Sequence, residues 1–179
     1  MIFTETPLPG GFLIEPEPIE DARGLLARTW CRRELETRGL QTQIAQCSVS
    51  VNARKGTLRG LHYQVAPYAE TKVVRCIRGS IYDVMVDLRP DSPTVTRYFA
   101  TVLSADNRIS LYVPAGCAHG FQTLEDDTEL FYQISEFHSP EHARGVRWDD
   151  PLFQISWPSD ARTISERDRS YPDFRPGLG

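Results

Sequence analysis

The segment RGLHYQVAPYAETK, Arg59 to Lys72, places an imidazole at His62 and an ammonium at Lys72 beside runs that read as β-strand. Farther along, PAGCAHGF brings a second imidazole at His119, and TELFYQIS carries a phenol at Tyr132 among apolar residues. A histidine near its ordinary pKa is a competent general base at neutral pH, and a better one when a carboxylate orients it. An ammonium fixed in a water-poor cavity stabilises a developing oxyanion. A phenol can return a proton from another direction. Base, oxyanion holder and separate acid are together what inversion of a carbon next to a ketone requires. Such a carbon acid lies roughly a dozen pK units above imidazolium, and at about 1.36 kcal/mol per unit enolate stabilisation must dominate the design. Taken singly, each residue has a plainer role that is favoured: Lys72 solvated on an edge strand, Tyr132 in a core with its hydroxyl at the rim. For His119, which the Pro-Gly turn can deliver at the start of a strand, the plainer role is a loop histidine bonded to backbone, and the motif alone leaves the two readings even.

Arg23 in DARG and Arg59 in LRGLH sit in Gly-flanked stretches, where little bulk blocks a ligand. A guanidinium grips phosphate bidentately, yet most arginines only solubilise a surface, and nothing local separates these two from that role.

The elements that must position these groups are mostly strands. Ile44 to Val51, Arg97 to Ser104, Arg108 to Pro114 and Thr128 to Phe137 are short runs rich in β-branched and aromatic residues, punctuated by Gly, Pro, Asn and Asp. Lys72 to Leu88 reads as two strands joined at Arg78-Gly79-Ser80, a hairpin signal. One helix is predicted over WCRRELETRG, with Thr29 as its cap and Gly39 as its end. The tail after Trp148 is Pro-punctuated and is expected to wrap the rest as short helical or irregular pieces. This rhythm predicts one mainly β domain over 1–179, an antiparallel sandwich or jelly roll with a few short helices. Strand parity sorts the polar groups: His62 shares a face with Gln64, Tyr132 with Leu130 and Ile134, and Asp83 lies opposite Tyr82. Polar side chains on inward faces need partners, so they imply a lined cavity rather than a dry core.

At 179 residues the chain can bury a core without staples, and a net charge of −4 gives no nucleic-acid or membrane signal. Four scattered cysteines support neither a zinc site nor a disulfide framework, and no apolar run approaches the length of a membrane span. The acidic, Pro-rich start is unlike a signal peptide, so a cytoplasmic location is the default expectation. P-x-G-x-x-H at Pro114 to His119, preceded by H-x-H and an acid, would mark a metal-binding cupin. Here the first motif is His62-Tyr63-Gln64, which lacks the second imidazole, and Lys72 is a repulsive neighbour for a cation. No metal and no other cofactor is expected.

GTLRGLHYQ, TKVVRCIRGSIYDVMVDLRPDSPT, LYVPAGCAHGFQTL, ELFYQIS and VRWDDPLFQISWP follow one another at suitable spacings. In that order they resemble the dTDP-4-dehydrorhamnose 3,5-epimerase family, over nearly the whole length. The resemblance implies a metal-independent homodimer with a cupin-type β jelly roll. It would act on a nucleotide sugar, inverting C3 and/or C5 beside the 4-keto group of a dTDP-4-keto-6-deoxyhexose. It also implies roles. His62 matches the proton-abstracting histidine, Asp168 in SERD its paired aspartate, Lys72 the lysine near the keto oxygen, and Tyr132 the acid. His119 matches a second pocket histidine, and Arg23, Gln46 and Arg59 match nucleotide-sugar contacts, with Arg59 toward the diphosphate. Asp83 is placed by parity to orient His119.

Four positions depart from the family pattern and are candidates for setting specificity: Arg28 in LLART, Ser48 in Gln46-Cys47-Ser48, His138 in EFHSP and Ala143 in HARG. They leave open a C3-only or C5-only epimerase on a GDP-, CDP- or UDP-linked sugar. A non-catalytic sugar-nucleotide-binding cupin ranks lower, because both base and acid are present.

Overall fold

The computed structural model describes residues 1–160 and 163–176. Two antiparallel sheets pack face to face. The larger contains β1 (Ile2–Glu5), β2 (Phe12–Glu15), β5 (Gln46–Asn52), β7 (Lys72–Arg78), β10 (Ser110–Val113) and β12 (Thr128–Ile134), in the order β1-β2-β10-β7-β12-β5. The smaller contains β6 (Leu58–Gln64), β8 (Ser80–Asp87), β9 (Tyr98–Ser104), β11 (Cys117–Thr123) and β13 (Ala143–Gly145), in the order β13-β6-β11-β8-β9. A separate hairpin pairs β3 (Pro18–Asp21) with β4 (Gly24–Ala27). The short helices are α1 (Arg32–Glu36) and α2 (Glu166–Arg169). This is the expected jelly roll. Among the described residues no helix is long and apolar enough to cross a membrane.

Three clusters hold the layers. Between the sheets, Val74, Cys76, Leu111 and Leu130 of the larger meet Ile81, Met85, Leu103 and Phe121 of the smaller. Leu61, Val84, Val86 and Ala118 point from the outer face of the smaller sheet, and the C-terminal tail covers them with Phe153, Trp157 and Phe174. Leu35 of α1, with Trp30 and Leu40, covers Ile14, Val73 and Tyr112 on the larger sheet. Parity in β8 is therefore as its sequence predicts, with Ile81 and Met85 on one face and Val84 and Val86 on the other. Each fully buried Leu or Ile contributes roughly 1.5–3 kcal/mol. A one-residue slip of β12 would remove Leu130 from the core and turn Glu129 inward, so the register is strongly fixed.

Two local expectations are corrected. β7 and β8 do not pair as a hairpin; Gly79 is a corner at which the chain leaves one sheet for the other. A single residue is too short for a hairpin loop, and Gly79 takes φ +73° with Thr128 Oγ1 only 2.6 Å from where a Cβ would stand. The helix is shorter than its sequence suggests: Cys31, not Thr29, stands at its cap and makes no side-chain capping bond. Trp30 must reach the cluster on the larger sheet, which keeps the chain extended through residue 31. Gly39 does end the helical segment, in the left-handed region at φ +68°. β1 and β2, hidden among prolines and glycines, were not predicted.

Candidate active site

A cavity of about 330 Å³ opens at one end of the sandwich and draws its walls from both sheets. His62 on β6 and His119 on β11 come from the smaller sheet; Lys72 on β7 and Tyr132 on β12 come from the larger. Two glycines allow the histidines' strands to approach. A Cβ on Gly60 would lie 2.6 Å from Gly120 Cα, and one on Gly120 would lie 2.6 Å from Arg59 O. The β6–β11 register shifts immediately after the His62–His119 pair.

His62 Nε2 lies 2.7 Å from Asp168 Oδ1. Asp168 is buried, and its other oxygen accepts from the Gly60 amide at 3.2 Å. Helix α2 supplies this carboxylate, and Ser165 Oγ caps it by accepting from the Asp168 amide. Burial pushes the Asp168 carboxyl up, but the hydrogen bond and charge of His62 and the Gly60 amide outweigh it, and the net shift is downward. The carboxylate is therefore ionised at neutral pH and holds the ring, leaving Nδ1 for a proton.

His119 is 4% exposed and pairs through Nε2 with Asp83 Oδ1 at 2.8 Å, as parity predicts. The Tyr132 ring meets the His119 ring edge-on, with centroids 5.9 Å apart. Burial raises the Tyr132 phenol well above its ordinary range, and the charge of Asp83 adds to the effect. The phenol thus stays protonated and available as an acid. Lys72 Nζ pairs with Glu70 Oε1 at 2.9 Å and donates to the backbone oxygen of His62 at 3.2 Å.

Arg59 also borders the cavity, and Asn52 Oδ1 accepts from its Nε at 2.8 Å. Gln46 and Ser48 line the wall from β5, and His138 and Ala143 line it from the loop after β12 and from β13. Gln46 Oε1 accepts from the His138 amide at 2.6 Å, fixing that loop. Gln64, at the position of the missing second imidazole, is committed to structure. Its amide donates to Tyr68 O and Phe137 O and accepts from the Ser139 amide.

Arg23 and Arg28 lie outside the cavity. Arg23, at the tip of the β3–β4 hairpin, is 89% exposed and paired with Asp21, and Arg28 pairs with Glu34. Sequence reasoning overlooked Glu70, Arg144 and Arg167, all on the cavity wall. Glu70 is two residues from Lys72, Arg167 adjoins Asp168 and Arg144 adjoins Ala143, so each was signalled by a neighbour. The arrangement offers a carboxylate-backed imidazole on one sheet, a protonated phenol on the other, and an ammonium on the same cavity wall.

The family model described as dTDP-4-dehydrorhamnose 3,5-epimerase matches residues 5–176. The dTDP-4-dehydrorhamnose 3,5-epimerase of Sinorhizobium fredii is 42% identical over 167 residues, covering 90% of this chain and 84% of the relative. The crystal structure of the enzyme of that name from Bacillus anthracis, with TDP and PPi bound, superposes with TM-score 0.93 at 41% identity, covering 97% and 99% of the two chains. ChmJ of Streptomyces bikiniensis, a 3'-monoepimerase in complex with dTDP-quinovose, gives TM-score 0.87 at 32% identity, covering 93% and 85%. With sequence and fold agreeing over nearly the full length, the chain belongs to the dTDP-4-dehydrorhamnose 3,5-epimerase family.

Proposed function

We propose that the chain is a cofactor-independent isomerase that inverts C3 and C5 beside the 4-keto group of a dTDP-4-keto-6-deoxyhexose. His62, held by Asp168, takes the proton from the carbon, and the C–H electron pair moves toward the keto oxygen. Lys72, with His119 nearby, stabilises the enolate oxygen. Tyr132 returns a proton from the opposite side. Arg59, with Gln46, holds the nucleotide diphosphate end. The observation that carries this reading is the origin of base and acid on opposing sheets, which lets them act on opposite faces of one sugar ring.

The proposed enzyme is a homodimer. Val49 and Val51 on β5 are 56% and 62% exposed, and Val49 sits in register with Phe131, itself in register with Arg75. Arg75 Nε is buried without a hydrogen-bond partner among the described residues. On the β3–β4 hairpin, Ile19 and Leu26 are 73% and 75% exposed. A second copy would cover these apolar surfaces, and the hairpin would carry Arg23 and Arg28 toward the partner's cavity. Four free cysteines accord with the reducing cytoplasm.

A C3-only reaction is the second reading, favoured by the similarity to ChmJ. Product analysis by NMR, using 4-keto-6-deoxyhexoses carried by dTDP, UDP, GDP and CDP, separates the two. Inversion at both carbons with dTDP preferred is expected. Inversion at C3 alone selects the second reading, and turnover only with another nucleotide overturns the nucleotide assignment.

A further inference from the structure

Both imidazoles and the ammonium in the cavity have their own carboxylates: His62 has Asp168, His119 has Asp83, and Lys72 has Glu70. The first two carboxylates stand behind their histidines, away from the cavity surface. Glu70 differs, because it borders the cavity itself and is the one acid on the described wall, among Arg59, Arg144, Arg167 and Lys72. It is no surface ion pair: the Glu70 and Lys72 side chains are 10% and 11% exposed. An acid facing a space that must admit a diphosphate is unfavourable unless the ammonium beside it needs it.

What the ammonium needs is direction. Lysine is a point charge on a flexible stem with three N–H donors. Here one donor goes to Glu70 Oε1 and a second to the His62 backbone oxygen, 2.9 and 3.2 Å away. Two anchors fix the nitrogen and leave the third N–H for a ligand. The second anchor ties Lys72 to the very residue that carries the base, so the distance between ammonium and imidazole is set by the same contact. Glu70 reaches Lys72 from the segment just before β7, two residues away.

We propose that Glu70 is a positioning residue, which holds the Lys72 ammonium with its third N–H aimed at the keto oxygen where the enolate charge develops. The choice of that oxygen rests on the epimerase reading above; the fixing of the ammonium does not. Glu70 therefore acts on the transition state through Lys72 and adds little to ground-state binding, which Arg59 dominates at the diphosphate end.

The test uses the full-length protein with two readouts, steady-state kinetics and the ¹⁵N spectrum of the lysine ammonium groups, with Lys72→Met identifying the Lys72 signal. Glu70→Gln is expected to lower kcat on the order of 10-fold or more, with KM changed less than about twofold. In the Lys72→Met background the same substitution is expected to have no further effect. The wild type is expected to show a Lys72 ammonium resonance that is lost in Glu70→Gln. A raised KM with unchanged kcat makes Glu70 a ligand contact and overturns the proposal. An equal loss in both backgrounds overturns it as well, as does unchanged turnover. If the wild type processes no 4-keto nucleotide sugar, the epimerase reading fails, while the resonance still decides the pairing. No such resonance in the wild type, or one unchanged in Glu70→Gln, overturns it whatever the turnover.

Discussion

His62 and His119 face each other as cross-strand partners on β6 and β11, and each imidazole is held by a buried aspartate from a different part of the chain. Asp168 arrives from a helix 106 residues beyond His62, whereas Asp83 stands on the neighbouring strand β8. One imidazole is partly open to the cavity, its side chain 41% exposed, and the other is nearly closed off. That asymmetry supports the proposed roles, His62 as the base that meets substrate and His119 as a group near the oxyanion.

His62→Ala removes the base, so exchange at every carbon should cease. Asp168→Asn keeps the shape but loses the ionised partner that favours the correct ring orientation. Its kcat should fall by about 10²-fold or more with KM little changed, measured by steady-state kinetics. Equal kinetics for wild type and Asp168→Asn would remove Asp168 from the account.

Tyr132→Phe should leave proton removal intact while net inversion is lost, because only the returning acid is missing. The wild-type phenol is held protonated by burial and by Asp83, so it should impose no alkaline loss of kcat up to about pH 10. A Phe variant that forms inverted product at the wild-type rate would refute the assignment.

Gly120→Ala would place a Cβ 2.6 Å from Arg59 O and 2.8 Å from Leu61 Cδ2, where the backbone must yield. Denaturant unfolding should show a loss of roughly 1–3 kcal/mol. The displaced β6–β11 pair should lower kcat on the order of 10²-fold, more than the folded fraction explains. Full activity at reduced stability would show that the close approach serves packing alone.

Asp87 is fully buried, with Arg89, Ser92 and Thr94 bonded to it. Burial pushes its carboxyl up, but these bonds prevail and bring it from 3.8 down to about 2. A lowered pKa in the folded state adds stability that is complete above the unfolded value and is lost as pH falls toward 2. The contribution is roughly 2 kcal/mol. Asp87→Asn should lose at least that much at pH 7 in urea titrations, and the difference should shrink between about pH 4 and pH 2. A difference constant with pH would assign the loss to shape rather than charge.

The strands that shape the cavity were legible because their runs are apolar, β-branched and cleanly bounded, and parity correctly gave the faces of His62, Tyr132 and Asp83. Sheet membership was not legible. Arg78-Gly79-Ser80 suits a hairpin and a corner alike, since the difference lies in which distant strands β7 and β8 pair with. β1 and β2 were obscured by Pro7, Pro9, Pro16 and Pro18, although their apolar residues complete the larger sheet. The proximity of Asp168 to His62 follows from the tail's path around the smaller sheet and came from the family resemblance, not from spacing. Glu70 was missed despite lying two residues from Lys72, because a Glu-x-Lys pair ahead of a strand reads as an ordinary surface ion pair.

In the proposed reaction His62 opens a carbon–hydrogen bond beside a ketone. Incubating the wild type with dTDP-4-keto-6-deoxyglucose in D₂O and following the sugar by ¹H NMR tests it most directly. Deuterium is expected at C3 and C5 with the wild type, and at neither carbon with His62→Ala. A wild type that leaves both carbons protonated, or a His62→Ala protein that exchanges them at the wild-type rate, would contradict it.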